Sequence, residues 1–259
     1  MRLHFESCGA GHPLIILHGL FGSGENWRSL SKKLCRGFRV FTVDLRNHGN
    51  SPHSAAFNCA LMAEDLKQFM AEHSLGPAHL LGHSLGGKVA MHFVLTHPDL
   101  VERLIVVDIA PRAYPPSHAE VFTLLTSIPL DRFSRRSEVR QELEKGLSDR
   151  SVVEFLLKNL TTTPSGVLRW RMNLKVLHEN YREIIAAPDW EGHFDKPALF
   201  VRGGNSDYIG PADYSGIKKY FPRAELATVA AAGHWVHAQA PEIFERLVED
   251  FLSGLETVD

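Results

Sequence analysis

The stretch Ala78-His79-Leu80-Leu81-Gly82-His83-Ser84-Leu85-Gly86-Gly87-Lys88-Val89-Ala90 decides how the chain is read. An apolar run ends at Gly82, a serine stands between two glycines, and a helix-forming pattern follows without a spacer. Gly-x-Ser-x-Gly in that setting is a nucleophile turn, in which a strand delivers a serine to a sharp corner and a helix leads away. At so tight a corner the hydroxyl projects above the sheet. Side chains two residues before and after it would strike the neighbouring strand and helix, and Gly82 and Gly86 remove them. The helix that follows aims free N–H groups at the serine, which suits an anionic intermediate. The bare pattern arises by chance roughly 0.1 times in a chain of this size, so its weight comes from the strand and helix around it.

Outward from that turn, strand and helix patterns alternate. Residues 2–8 alternate polar and apolar and read as an exposed first strand. Residues 14–17, Leu-Ile-Ile-Leu, are wholly apolar, as in a strand buried on both faces of a parallel sheet. Further strands read at 38–43, 103–107, 197–201 and 226–229, with helical periodicity at 25–34, 61–73, 213–220 and 242–252. Between Ser117 and Ala187 the alternation breaks, and only helical patterns read, among them 139–147, 152–160 and 168–177. The expectation is an α/β fold: a mostly parallel central sheet flanked by helices on both faces, with an all-helical cap inserted after the sixth strand. The core then comprises 1–111 and 188–259, and the cap 112–187. In such sheets the site forms at the carboxyl ends of the strands, where the polar loops of this chain converge.

The composition excludes several classes. With 28 basic and 30 acidic residues the net charge is −2, which gives no footprint for nucleic acid. No stretch approaches a membrane span, and the N-terminus lacks the apolar segment of a signal peptide, so a cytoplasmic location is expected. Cys8, Cys35 and Cys59 are scattered and odd in number and read as three free thiols. Fifteen histidines are many, yet no spacing collects them into a metal site, and neither metal nor cofactor is expected.

Six motifs carry a resemblance: His-Gly-Leu-Phe-Gly-Ser at 18–23, Asp-Leu-Arg-Asn-His-Gly at 44–49, Gly-His-Ser-Leu-Gly-Gly-Lys at 82–88, Val-Asp-Ile-Ala-Pro at 107–111, Gly-Gly-Asn-Ser at 203–206 and Gly-His-Trp-Val-His-Ala at 233–238. In this order they resemble the α/β-hydrolase superfamily over nearly the whole chain, and within it the serine esterase subgroup of the YbfF esterase and its ABHD11-type relatives. The resemblance implies a serine carboxylesterase that hydrolyses small-molecule acyl esters, or acyl thioesters, through a Ser-His-Asp triad and an acyl-enzyme intermediate.

Ser84 is the expected nucleophile and His234 its base, since a free hydroxyl needs a base within hydrogen-bond reach. The acid has two candidates. Asp207 lies in the loop after the penultimate strand, where most members place it; Asp108 follows the strand before the cap, and Ser206 stands where the resembled esterase has a serine. Asp108 is favoured and Asp207 is the alternative. The N–H groups of Leu20 and Leu85 are expected to form the oxyanion hole. Phe21, His83, Trp170 and Trp235 are the expected substrate contacts, and Arg46, Asn47 and His48 read as scaffold under the site. Two rivals stand beside this reading: a C–C bond hydrolase or lyase using the same triad, and a non-catalytic ligand receptor.

Overall fold

The computed structural model describes residues 1–254. The first half of the chain runs β1 (Phe5–Cys8), β2 (His12–Leu17), α1 (Arg28–Leu34), β3 (Phe38–Val43), α2 (Cys59–Glu72), β4 (Ala78–His83), α3 (Leu85–Thr96) and β5 (Val101–Val107). A cap follows, built of α4 (Ala119–Ser127), α5 (Arg136–Gly146), α6 (Arg150–Leu157), β6 (Leu160–Thr162), β7 (Leu168–Trp170), α7 (Leu174–Glu179) and α8 (Tyr181–Ile185). The chain returns to the core with β8 (Ala198–Gly203), α9 (Tyr214–Tyr220), β9 (Ala224–Val229), α10 (Val236–Gln239) and α11 (Pro241–Ser253).

Seven strands form one sheet in the order β1-β3-β2-β4-β5-β8-β9, with β1 antiparallel to β3 and every other pair parallel. The apolar runs of β2, β4 and β5 are buried because helices cover both faces. Alternate residues of a strand therefore enter different cores. Ile15 and Leu17 pack with Leu66, Phe69, Val89 and Phe93 of α2 and α3. Leu14 and Ile16 pack with Leu30, Leu34, Phe244 and Phe251 of α1 and α11. Among the described residues no helix is long and apolar enough to cross a membrane.

Three expectations are corrected. The cap is not all-helical, because β6 and β7 pair as an antiparallel hairpin. Its cause is legible in hindsight: the β-branched run Thr161-Thr162-Thr163 disfavours helix, and Pro164 and Gly166, the latter at φ 85°, make the turn. The helix expected over 168–177 is thus split into β7 and α7. The insertion follows the fifth strand rather than the sixth, since β1 to β5 are the strands that precede α4. The cysteines are not all free either: Cys8, at the end of β1, is bonded to Cys35, which caps α1, with Cα atoms 5.7 Å apart. The bond joins two residues 27 apart in sequence, and only Cys59 remains a free thiol.

Candidate active site

Ser84 stands at the corner between β4 and α3 with φ 51° and ψ −115°, a backbone conformation that side chains rarely adopt. The surrounding packing enforces it. A Cβ at Gly82 would lie 2.2 Å from the Gly86 carbonyl oxygen, and one at Gly86 would lie 2.5 Å from that of Leu17. Ser84 N–H donates to the Val107 carbonyl at 3.0 Å, so the ladder between β4 and β5 holds the corner in place. Leu85 is the first residue of α3, and its N–H has no acceptor within the helix.

Asp108 leaves β5 in a left-handed conformation, φ 50°, and is fully buried. His234 Nδ1 donates to its Oδ2 at 2.8 Å. Gly203 N–H donates to Oδ1 at 3.0 Å, and the Ser206 hydroxyl donates to Oδ2. The carboxylate thus accepts a neutral backbone bond, a hydroxyl and the imidazole while lying out of reach of water. Asp207 is exposed, and its carbonyl oxygen accepts from Arg112 Nη2 at 3.1 Å. Its loop meets His234 through other residues. The Tyr208 ring stacks on the His234 ring, with centroids 3.9 Å apart and planes 24° from parallel. The sequence carried no signal for that contact.

Three further imidazoles surround His234 and are held neutral. Burial, together with the nearby His234 and His237, pushes His83 well below the ordinary histidine value. Its Nε2–H donates to the His234 backbone oxygen at 2.9 Å, so His83 anchors the loop that carries His234. Burial lowers His237 to about 3, and its ring stacks on Trp27 with centroids 4.1 Å apart. Burial lowers His118, a cap residue whose Nδ1 accepts from the Tyr181 hydroxyl at 2.7 Å, to about 4. Neutral neighbours add no like charge beside His234.

The loop after β2 lies against the corner: a Cβ at Gly19 would come within 3.3 Å of Ser84 Cβ. His18 fixes this loop. Its Nε2 accepts from Leu45 N–H at 3.0 Å, so the proton sits on Nδ1, which bonds to the Gly19 oxygen at 2.8 Å. Phe21 follows with φ 60°, and its carbonyl oxygen accepts from the buried Asn159 amide of the cap at 2.6 Å. Asn159, just before β6, is a positioning contact that no sequence pattern announced. Under the loop, Arg46 bonds Asp65 at 2.6 Å, His48 bonds the Arg46 oxygen at 3.0 Å, and Asn47 Oδ1 accepts from Asn173 of the cap at 3.1 Å.

Two cavities meet at Ser84. The larger, about 730 Å³, is lined by Phe21, His234, Trp235 and, from the cap, Val152, Phe155 and Leu156. The smaller, about 30 Å³, is closed by Leu85, Ile109, Tyr114, Tyr181, Ile184 and Lys88. Lys88 Nζ donates to the Ile184 and Ala186 oxygens, each at 2.9 Å, tying the cap's return to α3, and burial lowers the amine to about 8. Trp170 departs from expectation. Its strand turns the indole into the cap, where Nε1 donates to the Leu125 oxygen at 3.2 Å, and it lines neither cavity. Arg171 is paired with Glu25 at 3.1 Å.

The alpha/beta hydrolase fold family profile matches residues 12–241. The chain belongs to that family. It is 40% identical over 248 residues to a mouse protein named sn-1-specific diacylglycerol lipase ABHD11, covering 93% of this chain and 80% of that one. It is 33% identical to the esterase YbfF of Escherichia coli, covering 93% of each chain. A solved structure described as a marine microorganism esterase superposes with a TM-score of 0.95 at 40% identity, covering 96% of this chain and 99% of that one.

Proposed function

We propose that this carboxylic ester hydrolase acts as a serine esterase in which Ser84 attacks the ester carbonyl, His234 is general base and then general acid, and Asp108 orients His234. One observation carries the reading: the 2.8 Å bond from His234 Nδ1 to a fully buried Asp108, on a histidine that opens onto the same cavity as Ser84. With Nδ1–H committed to the carboxylate, Nε2 is left as the basic nitrogen. It takes the Ser84 proton as Oγ bonds to the carbonyl carbon, and the oxyanion that forms is met by the N–H groups of Leu20 and Leu85. Collapse of the tetrahedral intermediate expels the alcohol, which receives the proton from Nε2. Water, activated by the same nitrogen, then frees the acid and regenerates Ser84.

The unequal cavities support a substrate class. A leaving alcohol must stay within reach of His234, and His234 lines the larger cavity but not the smaller. The alcohol arm accordingly occupies the apolar 730 Å³ space, and the acyl arm enters the 30 Å³ compartment, which admits a chain of a few heavy atoms. The preferred substrate is a short-chain acyl ester of a lipophilic alcohol. Apolar walls favour such an alcohol over the phosphate-bearing leaving group of an acyl-CoA. The two arms are separable in the assay: octyl acetate and methyl nonanoate carry equal carbon but exchange the long arm. A higher kcat/KM on octyl acetate is expected. Preference for methyl nonanoate would reverse the assignment of the cavities, and absence of ester turnover with either would remove the esterase reading.

A further inference from the structure

At the end of the sheet opposite Ser84, three parallel strands begin side by side. Leu14 of β2 pairs with His79 of β4, and His12 precedes Leu14 by two residues, so both imidazoles project from one face. On the other side of β4, Ala78 pairs with Val101 and His79 with Arg103. Glu102 is therefore an extra residue in β5, a β-bulge, which re-aims a side chain that strict alternation would send to the opposite face. The result is a cluster. The His12 and His79 rings lie 4.4 Å apart, and His12 Nε2 is 3.2 Å from Glu102 Oε2. One donor atom from each of the three residues lies within 4.8 Å of the other two.

Their hydrogen bonding is incomplete. His79 is 5% exposed, and its Nδ1 is enclosed with no hydrogen-bond partner. His12 Nε2 is enclosed too, and its approach to Glu102 lacks the angle of a hydrogen bond. An enclosed nitrogen left without a partner destabilises the fold. Three donor groups this close, with unpartnered nitrogens among them, suit a shared cation.

We propose that His12, His79 and Glu102 form a binding site for a divalent transition-metal ion, Zn²⁺ by the chemistry of the donors, that clasps the starts of β2, β4 and β5. Two imidazoles and one carboxylate are a zinc donor set, whereas Ca²⁺ and Mg²⁺ call for oxygen ligands alone. Tetrahedral bonds of ~2.1 Å set donor atoms about 3.4 Å apart. The half-exposed His12 and Glu102 side chains can close that gap by rotation, and they leave the fourth position to water. Arg103, the cation next in sequence, has its guanidinium over the Phe251 ring, 5.4 Å from the centroid. Five residues of extended β4 separate His79 from Ser84, roughly 16 Å, so the ion takes no part in ester hydrolysis.

The test is calorimetric titration of chelator-treated full-length protein with ZnCl₂, alongside thermal melts and ester turnover. Expected are one-to-one binding, a higher Tm with Zn²⁺ but not with Mg²⁺, and unchanged kcat/KM. Glu102→Gln and His12→Asn change half-exposed groups and should fold as the parent does, yet weaken Zn²⁺ binding by about tenfold or more. Absence of binding at millimolar Zn²⁺, or equal affinity in both variants and the parent, would overturn the proposal.

Discussion

Asp108→Asn tests the acid assignment against its rival. The substitution keeps size and shape but puts an amide where Oδ2 accepts from both His234 Nδ1 and the Ser206 hydroxyl. The oxygen of the introduced amide can still accept from Gly203 N–H, so the loop should stay in place. Its NH₂ group then faces His234 Nδ1, which must become the acceptor. The ring proton moves to Nε2, the nitrogen that receives the Ser84 proton in the proposed triad, and that base is lost in the dominant tautomer. Such a tautomer error costs ~10⁴ in kcat, about 5.4 kcal/mol at 1.36 kcal/mol per decade. Because Asp108 is fully buried and lines neither cavity, KM should hardly move. Asp207→Asn, on an exposed residue, should leave both constants within about twofold, as surface changes do. The assay is p-nitrophenyl acetate hydrolysis by purified variants, with melting curves to show that each is folded. A folded Asp108→Asn enzyme of near-parental kcat, with an Asp207→Asn enzyme that is inactive, would refute the argument.

Other outcomes follow from single contacts. Asn159→Ala leaves the Phe21 oxygen buried without its donor, which should cost about 1–3 kcal/mol in urea denaturation and lower kcat more than it raises KM; an unchanged kcat would mean that the loop does not need the cap. His48 is fully buried and lowered by that burial to about 3 from 6.5. Its folded value lies below its unfolded one, so the unfolded chain takes up the proton first. The stability this provides is whole above pH ~6.5 and is lost as pH falls toward 3, at about 1.4 kcal/mol per unit. Urea midpoints at pH 7.5 and 4.5 should differ, and less so in His48→Asn; equal slopes in both proteins would show that His48 does not carry the effect. Val152→Trp fills the larger cavity from the cap and should reduce octyl acetate turnover while sparing ethyl acetate, and a parallel loss on both would mean that the cavity does not hold the alcohol arm.

What the sequence disclosed and what it hid differ for physical reasons. The corner at Ser84 was legible because sterics dictate residue identity there: glycine is demanded at 82 and 86 by backbone oxygens little more than 2 Å from where a Cβ would stand. The parallel strands were legible because burial on both faces leaves an unbroken apolar run. The β6–β7 hairpin is hidden in the sequence because Leu160 and Leu168, spaced for helices, fit short strands equally well. Asn159, Tyr208 and the His12-His79-Glu102 cluster left no trace in spacing. Each depends on contacts between segments far apart in the chain, and the cluster depends further on a bulge at Glu102. The Asp108 and Asp207 alternatives could not be separated by loop position alone, since both leave strands at the same end of the sheet.

The central claim is that Ser84 becomes a nucleophile, and covalent capture addresses it directly. The purified protein would be treated with a fluorophosphonate and the adduct located by peptide mass spectrometry. A single adduct on Ser84 is expected, formed in step with loss of esterase activity. Ser84→Ala should be folded, unlabelled and slower by ~10⁴-fold or more. A Ser84→Ala protein that still takes the label and still turns over ester would contradict the account.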